Sequence, residues 1–112
     1  MVDHKVQRRF PRIDSENSVL VRSLGAVRQE GLVKTRVVGL GGCMFVNDEP
    51  LGVGTFLDLA LAISGDVAHT QGRIVYEIPR REGVLEVGVE FLGLSDEGRS
   101  LIGALFPSIG HC

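Results

Sequence analysis

Apolar and polar residues alternate in short stretches along most of this chain, and the period is that of strands. Leu85, Val87, Val89 and Phe91 point one way while Glu86 and Glu90 point the other, so residues 85–91 predict a half-buried strand. Phe56–Ile63 places Leu57, Leu59, Leu61 and Ile63 on one face, although a short helix can also be drawn there. Further strands are predicted at 18–24, 32–40, 43–46 and 72–78, the last closed by Pro79 and followed by a polar hairpin loop at 80–83. Residues 47–54 (NDEPLGVG) are dense in turn formers and predict a loop, and Ser64-Gly65-Asp66 predicts a turn. After residue 94 the period lengthens. Ser95 or Asp96 can cap a helix with Asp96 and Glu97 in its first turn and Leu101, Ile102, Leu105 and Phe106 as its apolar stripe, stopped by Pro107. About six strands and one amphipathic helix imply a small closed or nearly closed antiparallel barrel with the helix across one opening.

Composition narrows this picture. The chain of 112 residues has room for one domain, and 44% hydrophobic residues suffice for a core, expected to be aliphatic because aromatics are only 5% and tryptophan is absent. The 15 glycines suit turns and bulges. No signal peptide or membrane span is visible, and Cys43 and Cys112 do not suggest a disulfide, so a reduced, cytoplasmic setting is expected. Cys43 and Met44 are expected to pack.

The net charge of −2 gives no global pull toward nucleic acid or membrane, but its distribution is uneven. Residues 1–12 carry Lys5, Arg8, Arg9 and Arg12 against Asp3 alone, a net +3, which leaves −5 for the remainder. Pro11 forbids a helix through this cluster, so residues 1–13 are expected to be a flexible basic arm and residues 14–112 the barrel with its helix. The arm is either an anion site or a solvated tail.

Catalytic constellations are poor. His4, His69 and His111 are scattered, and none stands at metal-ligand spacing from a cysteine or another histidine. Gly39-Leu40-Gly41-Gly42 lacks the lysine and hydroxyl of a phosphate loop and precedes a strand. No enzyme, cofactor or metal is expected. The arginines offer a different chemistry. In an extended arm Arg8 and Arg12 share a side, about 13 Å apart at full stretch. Each guanidinium fork can bond bidentately to phosphate or to the O6/N7 edge of guanine, and its plane can stack on a base.

Read in order, these parts resemble the PilZ domain of bacterial cyclic di-GMP receptors. QRRFPRI (7–13) is similar to the family's opening R-x-x-x-R arm, and VVGLGGCMFV (37–46) to its second motif, D/N-x-S-x-x-G, with the following strand. EPLGVGTFLDLAL (49–61), GRIVYE (72–77) and VGVEFLGLSDEGRSLI (87–102) resemble the later strands and the helix start. The resemblance implies a mainly all-β protein, a six-stranded antiparallel barrel with a C-terminal α-helix, that binds cyclic di-GMP. Arg8 and Arg12 match the two motif arginines, Arg9 stands beside them as a helper, and Gly42 matches the motif glycine. The motif's Asp/Asn position is Val37 and its Ser position Gly39, so two polar contacts are missing. At about 1 kcal/mol each, their loss would weaken binding roughly thirty-fold; Gly39 offsets part of this by letting a ligand approach the backbone.

The resemblance thus implies a nucleotide sensor whose arm closes on cyclic di-GMP and switches contact with an unidentified downstream protein. The alternative is an adaptor that has lost the nucleotide and acts through protein contacts only. A barrel binding DNA or RNA is opposed by the negative charge and by an expected lack of surface aromatics on the strands. The chain is expected to be a monomer or homodimer.

Overall fold

The computed structural model describes residues 12–24 and 30–106. Seven strands and one helix follow in order: β1 (Arg12–Asp14), β2 (Ser18–Ser23), β3 (Glu30–Gly39), β4 (Gly42–Asn47), β5 (Phe56–Ile63), β6 (Asp66–Arg81), β7 (Val84–Leu92) and α1 (Asp96–Gly103). All pairings are antiparallel, in the order β1-β3-β2-β5-β6-β7-β4, and β4 pairs back onto β3. Six strands, β2 to β7, therefore close a barrel with no free sheet edge between them. β1 is a short seventh strand on β3.

Alternation along the strands fills the interior. Leu57, Leu59, Leu61 and Ile63 of β5 are all buried, as strand spacing requires, and Val19, Val21, Val38, Val87, Val89 and Ile74 meet them. Phe45 is also fully buried, so the core is not wholly aliphatic. α1 packs on β6 and β3 with Ile102 inside; Ser95 is its cap, the hydroxyl accepting from Gly98 N at 3.0 Å. Among the described residues no helix is long and apolar enough to cross a membrane. Cys43 is buried and its thiol is pushed up to about 12 by desolvation, so it packs as a small apolar side chain.

β6 departs from the sequence expectation. It runs from Asp66 through Pro79 to Arg81, well beyond 72–78, and the hairpin loop at 80–83 shrinks to Glu82-Gly83. Its inward residues are Ala68, Thr70, Gly72 and Ile74, mostly small or polar, so the apolar rhythm is faint there. Pro79 is tolerated because the ladder is irregular between Pro79 and Arg81. At the other end, Ser64 (φ 52°) and Gly65 (φ 86°) make a two-residue turn whose paired positive φ values suit a tight hairpin.

Two irregularities shape the start of the chain. β1 and β2 pair with the same edge of β3, but their registers differ by one residue, and Thr35 fills the offset. Its buried hydroxyl accepts from Asn17 N (2.9 Å) and donates to Ser15 O (2.6 Å). On its other edge β3 is bulged between Thr35 and Val37, so Arg36 is the extra residue and turns outward beside Val37.

Candidate functional site

Arg12 and Asp14 are exposed and flank the half-buried Ile13 on β1. Arg12 stands opposite Gly39, Ile13 opposite Val38 and Asp14 opposite Val37. The arm's last two residues thus begin a strand held against the glycine turn. Arg8 and Arg9, with the rest of residues 1–11, lie outside the described residues.

From β1 the outer face continues across four further strands, β3, β4, β7 and β6. Asp14, Val37, Met44, Gly88 and Tyr76 form one cross-strand row. Val37 and Met44 give this row an apolar floor, and with Asp14, Ser15, Glu16 and Arg36 they line a cavity of about 490 Å³. Arg22, Arg73 and Arg80 are engaged with Asp58 (4.0 Å), Glu90 (2.9 Å) and Glu86 (2.8 Å). Arg12 and Arg36 form no ion pair among the described residues. This face offers two guanidinium groups, Arg12 and Arg36, beside the carboxylates of Asp14 and Glu16 and above an apolar floor.

Two glycines near this face permit close packing, for reasons that differ. Gly42 pairs with Glu90, and a Cβ there would run into the carbonyl oxygen of Val89. The close approach of β4 to β7 therefore requires this glycine whatever binds outside. A Cβ on Gly88 would collide with the ring of Tyr76, which lies over it.

Tyr76 was not singled out by the sequence, because an isolated tyrosine in a strand carries no motif; only its register with Gly88 reveals it. Its hydroxyl donates to Glu86 Oε2 (3.2 Å), whose other oxygen accepts from Arg80 Nε (2.8 Å). The Tyr76 hydroxyl is pushed above 10.0, first by burial and then by the Glu86 carboxylate, while Arg12 and Arg80 pull it down. The charge of Arg12 is thus felt across the glycines at the tyrosine.

Glu86 is held below its ordinary 4.5, first by the hydrogen bond from Arg80 and against the effect of burial. A carboxyl depressed in the folded state stabilises the fold above its unfolded pKa, and that stability is lost as pH falls through the folded value. Arg80→Met is therefore expected to lower the urea midpoint at pH 7, with the difference from wild type shrinking as acid titrates the Glu86 carboxylate through its folded value.

A larger cavity, about 610 Å³, lies on β2, β5 and β6 and shares no residue with the first. Its arginine, Arg22, already faces Asp58, and His69 is its other basic side chain. The smaller cavity differs in that its arginine, Arg36, and the neighbouring Arg12 form no ion pair among the described residues.

The architecture is a closed six-stranded barrel with a short seventh strand that sets Arg12 and Asp14 beside Gly39 and Val37. The PilZ domain profile matches residues 6–106, and the chain belongs to the PilZ family. Among solved structures, the PilZ domain of YcgR from Escherichia coli with c-di-GMP is similar at 16% identity and a TM-score of 0.71, over 88% of each chain. The Bacillus subtilis inhibitor of motility, MotI, is similar at 14% identity and 0.70, over 87% of this chain and 48% of its own. The MrkH–c-di-GMP complex of K. pneumonia follows at 16% and 0.66, over 88% and 50%. This chain therefore spans about half the length of MotI and MrkH and most of the isolated YcgR domain. No curated protein matched.

Proposed function

We propose that this domain is a cyclic di-GMP receptor in which Arg8, Arg9 and Arg12 clamp the dinucleotide against the outer face of β3 and β4, and that closure of the arm switches contact with a downstream protein. The observation that carries this reading is the pairing of Arg12 with Gly39, which anchors the arginine arm at the glycine turn. Arg8 precedes that anchor by only four residues in the sequence. The phosphates suit guanidinium forks, and the bases suit the arginine planes and the face of Tyr76. Family membership and the c-di-GMP complexes of YcgR and MrkH support the ligand. Closing the arm on the ligand would change the surface that the domain offers to a downstream protein.

One observation favours the adaptor instead: Val37 and Gly39 offer no polar side chain toward the ligand. Calorimetric titration of the intact chain with cyclic di-GMP separates the two readings. Binding in the low micromolar range is expected; no heat at a hundred micromolar dinucleotide would leave the adaptor.

A further inference from the structure

The face that lacks a polar group at Val37 has a carboxylate on the neighbouring strand. Asp14 is the direct cross-strand partner of Val37, and partners in such pairs hold their Cβ atoms about 4.5–5.5 Å apart. Both residues line the same cavity, with Met44 as the rest of its apolar floor and Arg36, thrown outward by the bulge, on its wall. Arg12 and Asp14 are two apart in one strand, both exposed, so their side chains leave the same face about 6.7 Å apart at the backbone. They form no ion pair with one another among the described residues, so each can address a ligand.

We propose that Asp14 is the base-discriminating residue of this domain: its carboxylate accepts the N1–H and 2-amino hydrogens of one guanine while the Arg12 fork donates to O6 and N7 of the same base. The inference rests on the cyclic di-GMP reading above. Guanine is the base whose two edges fit this pair. Its O6 and N7 are acceptors for a fork, and its N1–H and N2–H₂ are donors for a carboxylate. Adenine fails at both: its 6-amino group faces the fork, and its bare N1 faces the carboxylate, acceptor against acceptor. Val37 and Met44 would lie beneath the ring as an apolar floor.

The sign of the effect separates this role from simple electrostatics. Removing a negative charge beside a doubly anionic ligand tightens binding if charge alone matters. Removing a carboxylate that accepts two hydrogen bonds from the base weakens it. Cyclic di-GMP and its diadenosine counterpart are titrated by calorimetry into the wild type, Asp14→Ala, Glu16→Ala, and the double variant Asp14→Ala/Val37→Asp, with unfolding midpoints measured for all. The expected result is a ten- to hundred-fold loss of cyclic di-GMP affinity in Asp14→Ala at unchanged midpoint, a Glu16→Ala protein that binds at least as tightly as wild type, and recovery when the carboxylate is moved to residue 37. Weak binding of the diadenosine ligand is expected to be unmoved or improved by Asp14→Ala. Wild-type affinity in Asp14→Ala, or no recovery in the double variant, would overturn the role of Asp14 and leave the receptor reading standing. A wild type that binds neither dinucleotide would overturn both.

Discussion

Phe45→Ala is expected to cost about 3–5 kcal/mol, a loss that takes much of the stability of a domain this small. Phe45 is fully buried and stands between Thr35 of β3 and Val87 of β7, at the seam where β4 completes the ring. It is the one aromatic among the fully buried side chains of the described residues, so its neighbours are aliphatic groups and a threonine that cannot extend into the space it leaves. Truncation therefore costs both the lost transfer energy and a cavity. The effect should reach the site. Cys43 and Phe45 face inward while Met44 faces outward from the same strand, so loosening β4 moves the floor of the cavity beside β1. Urea unfolding followed by far-UV circular dichroism checks the prediction, and Phe45→Leu, which keeps most of the volume, should lose markedly less.

The second large effect falls on binding. Arg8→Ala with Arg12→Ala is expected to weaken cyclic di-GMP binding by a hundred-fold or more while leaving the unfolding midpoint within about a degree. Hydrogen bonds to charged groups contribute about 1.5–3 kcal/mol each, and two arginines contribute at least two of them. Arg12 is exposed on a three-residue strand, so the barrel does not depend on its side chain. Arg12→Lys keeps the charge but loses the planar fork, and most of the loss should persist in it. Affinity that fell equally for both substitutions would assign the energy to geometry; affinity restored by lysine would assign it to charge alone.

The strands whose inward residues are large were legible in the sequence. Leu57, Leu59, Leu61 and Ile63 of β5 and Leu85, Val87 and Val89 of β7 write their period in residue type, and the Ser95 cap with its acidic first turn marks α1. β6 was legible only in part, because Ala68, Thr70 and Gly72 face inward where the barrel leaves little room: a Cβ on Gly72 would lie 2.6 Å from Val89 Cγ1. The site was legible where it follows chain order and hidden where it follows register. Arg12 and the glycines could be singled out from their spacing. That Arg12 sits opposite Gly39, that Asp14 sits opposite Val37 and that Arg36 is turned outward are consequences of pairing, one-residue offsets and a bulge, none of which has a residue-type signature. Gly42 shows the converse. It matches a binding motif in sequence, yet its backbone environment alone demands glycine.

The proposal turns on place: the first strand sets Arg12 beside the outer face of β3 and β4, and the proposed receptor docks the dinucleotide there. Amide chemical shifts recorded during a titration of isotopically labelled protein with cyclic di-GMP test it most directly. The expected result is a saturable set of shifts at Arg12, Asp14, Val37, Gly39, Met44 and Gly88, with the face of Leu20, Ala60 and His69 silent. Shifts confined to that second face, or no shifts at all, would contradict the account.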